Sequence, residues 1–353
     1  MSLDPHGDLV ALFRAIVDIE SVSGNERELA DQVQAALSGH DHLEVLRDGD
    51  TVIARTSLGR PERVVIAGHL DTVPVAGNLP SSIEGGRIYG RGSCDMKGGV
   101  AVMLAVAVAT TAPPRDLTWI FYDHEEVEAS ANSLTRIAAT RPELLAGDFA
   151  VLMEPTSARV EGGCQGTLRF TVTTAGRAAH SARAWMGHNA IHDLAEVLAL
   201  LRAHQPEQPV VDGLRYHEGL NAVAISGGIA GNVIPDRATV MVNYRFAPHR
   251  SLADAEQYCR SVLPGYELTV VDGAPGARPG LDLPAAVDFV AAVGGEPTAK
   301  FGWTDVARFA ALGIPAVNFG PGDPAKAHAD DEFCLIAELF TCRDALAGWL
   351  GKG

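Results

Sequence analysis

Two periodicities of apolar residues divide this chain into segments. Continuous β-branched or aromatic runs at residues 64–66 (VVI), 117–122 (LTWIFY) and 148–153 (DFAVLM) predict strands buried on both faces, and 314–319 predicts another. Leu29, Val33 and Leu37 recur at helical spacing, which predicts an amphipathic helix over 23–37 capped by Ser23 or Asn25. Val100, Val102, Met103, Leu104 and Val106 belong to a helix that is apolar nearly all round and is therefore buried. Residues 43–47 and 51–55 bracket Asp48-Gly49 and predict a hairpin. A short helix over 304–312 and a closing helix over 331–350 complete this set.

The pattern changes after residue 166. Residues 168–174 alternate as a half-exposed strand, followed by a helix over 189–203, strands at 221–226 and 238–246, a helix over 253–263 and a strand at 267–271. Strands with one exposed face, covered by helices on the other, predict a small α+β insert. The Gly- and Pro-rich stretch 272–284 reads as the return linker. A chain of 353 residues exceeds the usual size of one domain. The fold class is therefore α/β: a discontinuous domain (1–166 and 276–353) with a mixed or parallel sheet flanked by helices, interrupted by an inserted α+β domain (167–275).

Charge and composition narrow the function. A net charge of −16 without a long basic run argues against a nucleic-acid partner. It would also repel an anionic substrate, so any such specificity needs local cations. The N-terminus lacks a basic stretch leading into an apolar one, and the longest apolar run (100–109) is too short to span a bilayer, so neither a secretory signal nor a membrane partner is expected. The five cysteines form no CxxC pair and predict free thiols in a reducing cytoplasm.

The chemistry gathers where the buried runs end. His69 and Asp71, two apart in extended chain, project the same way. Glu125-Glu126 follow the second run and Glu154 the third, and in an open α/β sheet such ends share one edge. Asp95 stands at the mouth of the buried helix. Each has an ordinary alternative: a loop histidine, solvated loop carboxylates, a carboxylate facing a helix dipole. Carboxylates converging on one sheet edge, however, repel one another unless cations neutralise them. Two Zn²⁺ against Asp95, Glu126 and Glu154 would leave a net charge of about +1.

GHLDTVP, GRGSCDMKGG, the Glu125-Glu126 pair, Glu154-Pro155, GRAAHSA, GNVIPD and the late His328 follow one another in an order that resembles the M20 family of dinuclear zinc amidohydrolases over almost the full length. The resemblance implies two Zn²⁺, for which Co²⁺ can substitute. It implies Asp95 bridging them, His69 and Glu154 completing one site, and Glu126 and His328 the other. Asp71 would hold the His69 ring, Glu125 would be the general base, and a cis peptide would follow Asp95. The insert would serve as a lid and dimerisation domain of a homodimer. His180 of the AHSA motif would then reach the other subunit's site as an oxyanion donor. Asn232 and Arg245 match substrate-binding positions, and Thr304 is a further candidate through its hydroxyl or backbone N–H.

Some members carry arginine and serine where this chain has Gln165, Gly166 and Thr167, so Arg183 is the candidate to receive a distal carboxylate. Outside the resemblance, His180 is an ordinary turn residue, Arg245 a strand-end cation and Asn232 a turn residue. His124 receives no role, and Cys94 reads as a buried thiol. The implied activity is hydrolysis of a small N-acyl amide bearing carboxylates. Related deacylation of another N-acyl amino acid and removal of a C-terminal glutamate remain alternatives. A non-catalytic zinc-binding relative is a further one, which the presence of Glu125 disfavours.

Overall fold

The hairpin over Asp48-Gly49 forms from β1 (Glu44–Asp48) and β2 (Thr51–Arg55), with Asp48 opposite Thr51. It lies at the edge of a mixed sheet in a computed structural model that describes residues 2–351. Next come β3 (Arg63–His69), β4 (Asp116–Tyr122) and β5 (Phe149–Leu152). In space, β2 runs antiparallel to β4, which is followed by β3, β5 and the strand Ala316–Asn318, all parallel to one another. Every residue of β4 is buried, as is all of β3 beyond Arg63. Such two-sided burial is why these segments read as unbroken apolar runs.

Helices α1 (Leu9–Asp18), α2 (Arg27–Leu37), α3 (Gly98–Ala109), α4 (Pro284–Val293) and α5 (Ile336–Leu350) supply the rest of this core. α3 packs against α1, α2, α5 and β3, so its apolar circumference is covered on all sides. The rings of Phe149, Phe289 and Trp349 meet with centroids 4.8–5.9 Å apart. Each fully buried side chain of Phe size contributes about 1.5–3 kcal/mol. Gly99 lets α3 approach the end of β5: a Cβ there would lie 2.3 Å from the Met153 carbonyl oxygen.

Several boundaries differ from the sequence expectation. α2 begins at Arg27, and neither Ser23 nor Asn25 caps it; the Ser23 hydroxyl instead donates to Asp71 Oδ2 at 2.7 Å. The closing helix begins at Ile336 rather than residue 331. Phe333–Leu335 pairs instead with Arg87–Tyr89 and, through it, Ser82–Glu84 in a small antiparallel sheet. The 304–312 helix is confined to Val306–Ala311, and the strand Leu268–Ala274 extends into the predicted return linker.

The structure divides into two units. The first runs to Gly162 and resumes over Pro279–Thr298 and from Thr304 onward; the second comprises Gly163–Arg278 and Ala299–Trp303. In the second, a four-stranded antiparallel sheet has the order Gly219–Gly227, Arg237–Phe246, Gly166–Ala175, Leu268–Ala274. Burial alternates strictly along Gly166–Ala175, and Leu168, Phe170 and Val172 join a core with the helices Ala190–Ala203 and Leu252–Val262. Asn189 caps the first of these helices, and Ser251 and Asp254 form a capping box on the second. The edge strand Gly219–Gly227 is exposed from Asn221 onward, including Val223 and Ile225.

All five cysteines are buried thiols. Among the described residues, no helix is long and apolar enough to cross a membrane.

Candidate metal centre

Because β3, β4 and β5 are parallel neighbours, their C-terminal ends open on one edge of the first unit's sheet. His69 is level with Tyr122, and Leu152 with Ala67. That register places His69 at the end of one strand, Glu125 and Glu126 just past the next, and Glu154 two residues past the third. Asp95 arrives from the turn before α3, and its peptide bond to Met96 is cis. His328 occupies left-handed backbone at φ 65°, a region that few non-glycine residues adopt.

These side chains converge. His69 Nε2 lies 3.1 Å from Asp95 Oδ1, and His328 Nε2 lies 3.5 Å from Asp95 Oδ2 and 2.9 Å from Glu126 Oε1. Asp95 therefore presents a different oxygen to each imidazole. Donor atoms of His69, Asp95 and Glu126 all lie within 4.8 Å of one another. Glu154 is buried, and its charge is among those that raise the pKa of Glu125.

Asp71 is arranged differently from the expectation. The His69 Nδ1 hydrogen bond goes to the backbone carbonyl of Asp71 at 2.9 Å, while the nearer carboxylate oxygen is 3.5 Å away. The carboxylate itself accepts from the backbone N–H groups of Glu125 at 2.9 Å and Glu126 at 3.0 Å, and from Ser23. One residue thus fixes the ring with its main chain and the paired glutamates with its side chain.

The electrostatics follow from this crowding. Burial, and then the charges of Asp305, Glu154 and Glu126, push the Glu125 carboxyl well above its ordinary value against the pull of His69. Burial opposes ionisation of Asp95, but hydrogen bonds from His328 and His69 outweigh it and hold the carboxyl low. Burial likewise opposes charging of His69, and Asp95, Asp71 and Glu125 overcome it, raising the ring well above 6.5. Hydrogen bonds to Asp95 and Glu126 raise His328 to about 10. Without a metal, protons on the histidines supply the positive charge the carboxylates demand. Two imidazoles among clustered carboxylates form a nitrogen–oxygen donor set that suits Zn²⁺ and similar divalent ions.

A pH dependence follows. The raised pKa of His328 stabilises the metal-free fold fully below pH 6.5, and that contribution is lost as pH rises through about 10. A metal must displace the same proton, so its apparent affinity should increase with pH across that window. Calorimetric titration with Zn²⁺ near pH 7.5, in buffers of different ionisation enthalpy, should record about one or two protons released per chain. Zero net release would contradict the assignment of His328.

The remaining candidates divide between the units. In the second, His180 pairs opposite Val233, and the Ser181 N–H donates to the Asn232 carbonyl at 2.9 Å, so the AHSA and GNVIP segments are adjacent. His180 Nδ1 accepts from the Ala182 N–H at 3.0 Å, which assigns the proton of the neutral ring to Nε2. Arg183 is exposed in the turn Ser181–Met186, and Arg245 is exposed on its strand between Gly219 and Thr167. Gln165 is buried and donates to the His217 carbonyl at 2.7 Å. In the first unit, Thr304 is buried and its hydroxyl donates to Asn318 Oδ1 at 2.9 Å. That bond uses the hydroxyl's single proton, which removes it as a substrate donor.

Sequence reasoning missed Ser23 and Asp305. Ser23 resembled a helix cap because it precedes an amphipathic run. Asp305 is fully buried, receives Asn132 Nδ2 at 3.1 Å and pairs with Arg308. Its position one residue before a short helix reads as an ordinary N-terminal acid.

Comparison with known proteins bears on this geometry. Residues 65–352 match peptidase family M20/M25/M40. A putative succinyl-diaminopimelate desuccinylase of Mycobacterium tuberculosis is 50% identical over 352 residues, covering 99% of each chain. A succinyl-diaminopimelate desuccinylase of Corynebacterium glutamicum is 47% identical, covering 99% of this chain and 98% of its own. The same fold occurs in a dinuclear metal binding peptidase of the M20 family from Bacillus subtilis, at a TM-score of 0.72 and 18% identity, covering 98% of this chain and 97% of the other. The chain belongs to peptidase family M20/M25/M40 and is a metal-dependent amide hydrolase.

Proposed function

We propose that this enzyme hydrolyses N-succinyl-LL-2,6-diaminopimelate to LL-diaminopimelate and succinate, a step of lysine and diaminopimelate biosynthesis in the cytoplasm. The observation that carries the reading is the full-length similarity, near 50% identity, to two proteins named for that activity. It is joined to the convergence of Asp95, Glu126, His69 and His328 at one sheet edge. The relative from Bacillus subtilis, described as a dinuclear metal binding peptidase, supports a two-metal centre. Asp95 would be shared, with His69 and Glu154 on one ion and Glu126 and His328 on the other.

Two Zn²⁺, or Co²⁺ in their place, would polarise the succinyl amide carbonyl and acidify water toward neutrality. Glu125 takes the proton of the attacking water. Lying beside Glu126 at the sheet edge, it is placed to return that proton to the leaving amine. Asp71 aims it, holding the Glu125 and Glu126 backbone through two N–H bonds. The Nε2–H of His180 would donate to the developing oxyanion in the other subunit's site. Asn232, Arg245 and Arg183 would meet the substrate's carboxylates, for which arginine offers two parallel donors. No such role is retained for the Thr304 hydroxyl.

We further read the protein as a homodimer formed by the second unit. Its edge strand is exposed and apolar, with Val223 and Ile225 each more than half exposed and Ile229 nearby at 85%. An unpaired edge of this kind is a template for another strand. Sedimentation of the full chain as a monomer at micromolar concentration would remove this part of the reading.

A side-by-side assay with added Zn²⁺ or Co²⁺ tests the substrate. Cleavage of succinyl-diaminopimelate is expected to exceed that of N-acetylornithine and of a C-terminal glutamate peptide by orders of magnitude. The reverse order would overturn the substrate while leaving the family intact.

A further inference from the structure

An ion pair buried outside the donor set ties its loops together. Arg91 and Glu332 have side chains only 4% and 1% exposed, and Arg91 Nη1 lies 2.9 Å from Glu332 Oε2. The other carboxylate oxygen, Oε1, accepts the backbone N–H of Cys94 at 2.9 Å and of Asp95 at 3.2 Å. Two further guanidinium N–H groups go to main chain. Nε donates to the Pro74 carbonyl at 2.9 Å and Nη1 to the Ala329 carbonyl at 3.3 Å.

Those partners come from three separate places. Pro74 closes the GHLDTVP segment that carries His69 and Asp71. Cys94 and Asp95 form the turn that delivers the shared carboxylate. Ala329 follows His328, whose backbone is held at φ 65°. All of them lie within the first unit. The Glu332 carbonyl also accepts the Gly90 N–H at 3.2 Å, so the segments of Arg91 and Glu332 are joined by main chain as well as by charge.

Burying two charges is costly, and a pair that only filled space could be replaced by apolar residues without loss of stability. This pair does more than fill space, because its oxygens and nitrogens end on the backbone beside three donor-bearing segments. Groups that orient metal ligands from one layer out typically govern affinity by 10–100-fold. We infer that Arg91 and Glu332 are positioning residues for the metal centre, locking the loops of His69, Asp95 and His328 in one mutual register. The inference rests on the proposed donor set, and it concerns residues that set metal affinity without touching the metal.

The test uses the full chain, stripped with chelator and titrated with Co²⁺, which reports coordination through its visible absorption. The double variant Arg91→Met/Glu332→Gln removes both charges together and so avoids stranding one. It is expected to keep the wild-type circular dichroism and a metal-free unfolding temperature within a few degrees, while binding Co²⁺ 10–100-fold more weakly with a changed visible spectrum. Should it fail to fold, Arg91→Lys keeps the charge but lacks the fork that reaches both Pro74 and Ala329, and it should weaken Co²⁺ binding by about tenfold. A folded double variant, or a folded Arg91→Lys, with wild-type Co²⁺ affinity and spectrum overturns the inference. Failure of the wild-type chain itself to bind Co²⁺ would instead overturn the donor set beneath it.

Discussion

Glu125→Gln should lower turnover by about 10²–10⁴-fold while leaving metal content nearly unchanged. The substitution conserves shape and removes only the capacity to accept and return a proton. It leaves intact the backbone N–H that Asp71 holds at 2.9 Å, so Glu126 should stay in register beside it. Metal analysis of the purified variant, alongside a full pH–rate profile, separates the two effects. If turnover survived near the wild-type level, the proton would be travelling by another group. If metal were lost in parallel, Glu125 would belong to the donor set and its proposed role would be wrong. Relief of the charge crowded around it gives this variant a second signature: its metal-free form should be at least as stable as the wild type at neutral pH.

Asp95→Asn should reduce bound metal to less than one ion per chain and abolish measurable hydrolysis. Asp95 is the only one of the candidates with one oxygen toward each histidine, so an amide cannot replace both contacts with negative charge. The loss reaches further than one ligand. Asp95 holds up the pKa of both His69 and His328, and without its charge the rings lose part of the reason to be protonated in the metal-free state. Proton release on titration with Zn²⁺ should therefore fall as well, which calorimetry can measure. A variant that kept two ions per chain would show that Asp95 is not shared between them. Recovery of partial metal binding at millimolar Zn²⁺, without recovered turnover, is the pattern expected of a weakened but surviving donor set.

The sequence carried the centre's outline because its donors sit at the ends of strands buried on both faces. Runs such as LTWIFY have no polar alternation to confuse them with anything else, and the residues just beyond them are forced to one sheet edge. What stayed hidden had two causes. Some partners depend on contacts remote in sequence: the small sheet pairs Ile88 with Cys334, and no local pattern announces so distant a match. That pairing is also why the closing helix starts later than its composition suggests. Other partners have two chemical faces. Asp71 was expected to use its carboxylate on His69, yet its carbonyl makes that bond and the carboxylate serves the glutamates. Glu332 ends an acidic trio with Asp330 and Asp331 and looks like a solvated charge. α1 is a different kind of omission. Leu9, Leu12, Phe13, Ile16 and Val17 are all buried at helical spacing, so the signal for this helix is local and present in the sequence.

The interruption of the first unit has a consequence for when the protein can become an enzyme. Four of the five proposed donors precede the second unit, and His328 follows it. The parallel strand Ala316–Asn318 beside β5, and Phe333–Leu335 beside Arg87–Tyr89, also come from after it. A nascent chain on the ribosome therefore holds an incomplete donor set until residue 328 has emerged. A fragment ending before residue 316 lacks both a donor and the strand beside β5. Assembly of the centre thus waits on a donor that lies beyond the second unit.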